Sequence, residues 1–210
     1  MIDQCWKLDA ELQRWYKDLE SSTPGPLYWP QFSKQESPTD DPELGKLFPV
    51  AFHFPSLFTA STIMMYWTAQ VMVWSMLARA YGKVPTVLDY GTISSQPQKR
   101  SLNWRAEVIC SCEEPTRSVC FKHVDISQLP PLEHRVDWAR SAARNLFQSV
   151  EYCMQDEMLV VGPQLVAPLV AIVLDCLVKE PGDWSREILW AKEIGERVDV
   201  RGQRLIKYMV

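Results

Sequence analysis

Between residues 57 and 78 the chain carries no charged side chain, and no proline interrupts it from residue 56 to 81. A stretch this long and apolar suits one of two environments. One is the hydrocarbon of a bilayer, which about 20 apolar residues span. The other is the centre of a bundle, where a helix is apolar all round because it is covered all round. Thr59, Ser61, Thr62, Thr68, Gln70 and Ser75 break the apolar surface, and the flanking charges are weakly asymmetric. The pattern therefore predicts a buried core helix, stopped by Gly82.

A central helix needs covering elements, and the periodicity supplies them. Over residues 3–20, Cys5, Leu8, Leu12, Trp15, Tyr16 and Leu19 recur at helical spacing. Lys7, Glu11, Arg14, Lys17 and Asp18 lie mostly off that stripe. From Glu133, Val136, Ala139, Ala143, Leu146, Val150 and Cys153 form a second stripe, with Arg135, Asp137, Arg140, Arg144 and Glu151 largely outside it. Gly162 and Pro163 turn the chain into an apolar helix running to Val178, in which Pro168 predicts a kink or a restart. A last helix is expected from an N-cap near Asp183, burying Trp184, Ile188, Ala191, Ile194 and Val198, with Gly202 before a short terminal piece over 203–208. The expectation is an all-α fold: an irregular helical bundle of five to seven helices with long loops, without internal repeat. Residues 1–210 then form a single helical regulatory domain or a fragment of a larger one.

Two segments depart from this pattern. Residues 22–55 open with Pro24, Gly25 and Pro26 and continue through Pro30, Pro38, Pro42, Gly45 and Pro49. They predict an irregular crossing that is neither helix nor central strand, with Tyr28, Trp29 and Phe32 suggesting that parts of it pack on the domain. Residues 83–132 form a poorly defined region, with β-branched character at 84–87 and 107–109 and a mobile surface loop expected around 94–100.

Composition narrows the function classes. Hydrophobic residues make up 47% of the chain, and nine tryptophans and seven tyrosines supply enough burial for a core without disulfide staples. The net charge of -4 gives this segment no electrostatic reason to contact nucleic acid, which needs clustered Lys and Arg. Lys99, Arg100 and Arg105, followed by Glu113 and Glu114, read as a solvated loop. The N-terminus lacks the basic start and apolar core of a secretory signal, so six cysteines indicate reduced thiols inside a cell.

No chemical constellation rises above its ordinary reading. Cys110, Cys112, Cys120 and His123 make a conceivable zinc set, but the spacing is poor for a closed site, and inert thiols are the better reading. His53, His123 and His134 lack partners at metal-ligand spacing. Gly162, Pro163 and Gln164 place a proline where a phosphate loop needs backbone donors. Glu151 and Asp156 sit five apart around a helix end and do not share a face. Asp175 reads as a solvent-edge residue or a partner for Arg or Lys of another helix. No cofactor, metal, DNA-binding or catalytic residue is assigned, and the chain is not read as an enzyme.

The stretch at 145–169, NLFQSVEYCMQDEMLVVGPQLVAPL, resembles the C-terminal regulatory region of fungal zinc binuclear-cluster transcription factors. WSREILW at 184–190 and ERVDVRG at 196–202 look like the end of such proteins. CWKLDAELQRWY at 5–16 and YWTAQ at 66–70 fit the same region, so the resemblance covers residues 1–82 and 130–210. It implies an all-helical nuclear domain, found in the cytoplasm as well, tied to activation, effector response or masking. Its partners would be proteins of the transcription machinery or a self-association partner, with a small-molecule effector allowed, and neither nucleic acid nor membrane. The family's DNA-binding head packs six cysteines into one basic segment. Here six are dispersed from Cys5 to Cys176, so DNA binding by this segment is not expected. A truncated regulator or a stand-alone regulatory homologue fits. Competing readings are a receptor enclosing a small molecule between helices around residues 64–74 and 165–177, and an uncharacterised enzyme with polar groups converging in a cleft.

Overall fold

Ser56 opens the central helix: its Oγ accepts the N–H of Thr59 at 3.1 Å, an N-cap directly after Pro55. In a computed structural model, which describes residues 2–37, 39–43, 45–82, 133–179 and 184–209, with side chains from 138 onward in the fourth of these and up to 198 in the last, five helices are seen. They are α1 (Ile2–Ser22), α2 (Leu57–Gly82), α3 (Glu133–Cys153), α4 (Val161–Val178) and α5 (Ser185–Met209). A two-stranded ribbon, β1 (Trp29–Phe32) and β2 (Val50–His53), completes an all-α architecture with long loops.

The charge-free helix is indeed the centre: α2 packs against α1, α3 and α4. Ile63, Met64, Val71, Val73, Trp74 and Leu77 are fully buried, each contributing about 1.5–3 kcal/mol or more. Two of its buried polar side chains are satisfied within the helix. Thr68 Oγ1 donates to the Met64 carbonyl at 2.9 Å, and Gln70 Nε2 donates to Tyr66 Oη at 2.9 Å. Among the described residues α4 alone is long and apolar enough to cross a membrane, and less than half of its apolar window is buried.

The remaining elements cover α2 with some departures from the periodicity. On α1 the seam runs through Ile2, Cys5, Asp9, Leu12, Tyr16 and Leu19, while Leu8 and Trp15 stay exposed. A single partner helix receives only a narrow two-position seam, so the wider apolar stripe is half used. Hydroxyls of Ser22 and Thr23 donate to the Leu19 carbonyl and end α1. α4 continues through Pro168, an exposed position, so the chain does not restart there. α5 likewise continues past Gly202, because one helical glycine costs only about 1 kcal/mol. Its buried seam holds Trp190, Ala191, Ile194 and Val198, with Ile188 half-buried and Trp184 buried just before its first residue.

The crossing is more ordered than its prolines imply. β1 and β2 pair antiparallel with Trp29 opposite His53 and Phe32 opposite Val50. Pro30 is tolerated because a strand of a two-stranded ribbon has a free edge. Tyr28 packs on Phe52 and Trp67, and Leu27, Phe48 and Phe54 are buried, whereas Trp29 and Phe32 point to solvent. Phe48 inserts between α3 and α5, 5.9 Å from Phe147 and 4.9 Å from Trp190 by ring centroid.

Candidate functional site

Where the crossing passes α3 and α5, polar side chains converge that lie more than a hundred residues apart in sequence. β1 ends at Phe32, and the Ser33 N–H continues the ladder to the Pro49 carbonyl at 2.9 Å. Glu151, in the last turn of α3, then receives the chain. Its carboxylate accepts Ser33 Oγ at 2.6 Å, the Lys34 N–H at 2.9 Å and the Gln35 N–H at 3.5 Å. Lys46 Nζ donates to the carbonyls of Ser33 and Gln35 at 2.9 and 2.7 Å. Asp40 accepts the N–H groups of Ser37 and Leu47.

From the other side, α5 supplies Glu193, Arg186 and Arg197. Ser37 Oγ donates to Glu193 Oε2 at 2.8 Å, Arg186 donates to the Thr39 carbonyl at 3.2 Å, and Arg197 donates to the Glu36 carbonyl while pairing with Glu193. Beside this seam lies an open groove bordered by Lys34, Glu151, Met154, Glu193, Glu196 and Arg197. Glu151 and Glu193 meet backbone N–H groups, hydroxyls and a guanidinium, so this chemistry fastens a loop. Its open rim presents charges of both signs.

Of the residues singled out in sequence, Glu151 alone enters this cluster. Asp156 lies in a 3-10 turn (Asp156–Met158) beyond the end of α3. Ser33, Ser37, Glu193 and Arg197 carry no spacing signal, because their partners are set by how the crossing drapes over the bundle. Asp175 is exposed and pairs with Lys179 of its own helix at 2.6 Å, not with another helix. The His53 ring packs edge-on to Tyr152, centroids 5.7 Å apart. Cys5, Cys153 and Cys176 are buried and take part in no disulfide among the described residues. Cys153 Sγ donates weakly to Met64 Sδ at 3.7 Å, and burial pushes its thiol up to about 12, far from a reactive thiolate. Cys110, Cys112, Cys120, His123 and the basic and acidic groups at 99–114 lie outside the described residues, as does the side chain of His134. Among the described residues no three His, Cys, Asp or Glu side chains group to hold a metal.

A second polar cluster lies under α1. Tyr16 stacks on Tyr66 with centroids 4.7 Å apart. Burial, then Asp9 and Tyr28, pushes Tyr66 up to about 12, and burial with the neighbouring Tyr28 raises Tyr16 further. These phenols stay protonated and serve as packing with a hydrogen-bonding tip. Between α2 and α4, the helices of the receptor reading, buried side chains fill the contact, and a mostly apolar groove opens outward at Met72, Met76 and Ile172. No protein-family model, no curated protein and no solved structure matches this chain.

Proposed function

We propose that this chain is a regulatory and interaction domain of a fungal transcription regulator of the zinc-cluster type, acting in the nucleus without DNA contacts from this segment. The reading rests on the resemblance of residues 145–169 and 184–202. One observation carries it toward an interaction module and away from catalysis: the convergent carboxylates of Glu151 and Glu193 are engaged in holding a loop against the bundle. A clamp of that kind presents a defined surface without a free general base.

Tethering tests this. Residues 1–210 fused to a heterologous DNA-binding domain, in a fungal host with a matching reporter, are expected to raise or lower transcription by about tenfold, a coupling of about 1.4 kcal/mol. A folded, nuclear fusion that leaves the reporter unchanged removes the reading.

A further inference from the structure

The outward face of α2 carries Phe58, Thr62, Met65, Ala69, Met72 and Met76, one after another at steps of four and three residues. Phe58 is 81% exposed, Met65 52%, Met72 42% and Met76 37%. These are large exposures for the apolar side chains of a central helix. Trp15 of α1, itself exposed, borders the face by packing on Tyr66 at 5.7 Å. On the other side Ala171 and Ile172 of α4 join Met72 and Met76 in an open groove. A four-three repeat is the seam of paired helices.

We propose that this face binds the same face of a second copy of the chain, pairing the two α2 helices antiparallel about a two-fold axis. The order of residue sizes selects that occupant. In an antiparallel register centred near residue 67, Met65 lies over the partner's Ala69, Met72 over the partner's Thr62, and Met76 against the partner's Phe58. Large flexible side chains meet small ones, and a thioether meets an aromatic ring, a favourable contact. An isologous interface requires such self-complementarity, whereas a foreign helix would not impose it.

Charge agrees with size. The six positions hold no ionisable group, so no like charges meet at the axis. The exposed parts of Phe58, Met65, Met72, Met76, Ile172 and Trp15 amount to roughly 600 Å² per protomer, taking about 200 Å² for a whole side chain. Specific but weak complexes bury about that much per partner. The dimer is therefore a concentration-dependent one, and it stands independently of the regulatory reading.

Sedimentation equilibrium of the full chain from about 1 μM to 1 mM tests it. The expected result is reversible monomer–dimer exchange with a dissociation constant in the micromolar range or above. Met65→Glu and Met72→Glu each weaken it at least about tenfold with unchanged helical circular dichroism, and Phe32→Glu, on the 87% exposed ribbon, leaves it unchanged. Chains carrying Met65→Lys and Ala69→Glu dimerise poorly alone and regain association when mixed, because ammonium then faces carboxylate in this register. A strict monomer up to about 1 mM overturns the proposal and leaves the face to another protein. So does a dimer indifferent to both Met variants, or a mixture that does not recover.

Discussion

Gly162 is the residue whose identity the fold constrains most tightly. A Cβ placed there would stand 2.0 Å from the Cys153 carbonyl oxygen and 2.8 Å from Met158 Cβ, so the first turn of α4 touches the end of α3 through bare backbone. Neither obstacle is the far end of a flexible side chain. Gly162→Ala is expected to lower stability by about 3 kcal/mol or more, seen as a fall of roughly 10 °C in Tm. Gly195, in α5, has nothing within 4 Å of the same probe position. Gly195→Ala is therefore expected to stabilise by up to about 1 kcal/mol through helix propensity. Paired thermal melts decide both, and equal effects of the two variants would refute the close approach. In sequence, Gly162 and Pro163 mark a turn and the preceding apolar stripe ends at Cys153; that the two helix ends meet through bare backbone is set by how they pack.

At the scale of elements, the crossing shows how a segment with few regular hydrogen bonds is held. Its apolar anchors, Leu27, Phe48 and Phe54, enter the core, and its backbone donors are taken up by Glu151 from α3. Hydrogen bonds to a charged acceptor contribute about 1.5–3 kcal/mol each. Glu151→Ala is thus expected to speed amide exchange at Lys34 and Gln35 by roughly 30-fold or more while the core amides of α2 keep their protection. Exchange that rises equally everywhere would show a global role instead. The α3–α5 contact has its own polar fastening: Arg144 meets the buried Glu187 at 3.0 Å, and the Arg140 guanidinium lies 5.3 Å over the Trp184 ring. Both arginines fall outside the apolar stripe of α3, where they were expected. Their partners on α5 were not legible, because charge pairing between helices has no period along the chain.

For the molecule as a whole, buried weak acids tie stability to alkaline pH. Burial raises Cys153 and Tyr66 to about 12 from ordinary values of 9.0 and 10.0, and raises Tyr16 as well. The folded state therefore holds these protons more tightly than the unfolded chain. Their contribution is full below about pH 9 and is lost as the pH climbs toward 12. Urea unfolding should give a stability that falls above pH 9, each titrating group adding up to about 1.4 kcal/mol per pH unit. Tyr66→Phe should flatten that fall above pH 10, although Gln70 loses its acceptor and the neutral-pH value drops. An unchanged slope would mean that Tyr66 ionises without resistance. The same map of burial exposes the outward stripe of α2. In sequence that helix reads as apolar all round; among the described residues α1, α3 and α4 pack against it and leave that stripe exposed.

The chain's own order of residues determined which stretches are helical, which helix lies at the centre and the all-α class, because burial of apolar side chains acts with a period visible within one helix. Breakers read one by one misled at Gly202, and α4 does not restart at Pro168, because neighbouring helix formers outweigh a local penalty of about 1–3 kcal/mol. Tertiary structure alone decided the β1–β2 ribbon, the Glu151 and Glu193 clamp, and the exposure of Phe58 and the methionines. Each of these depends on which surfaces meet across distant parts of the chain, and a side chain's solvent exposure is set by the neighbour opposite it, not by its own hydrophobicity.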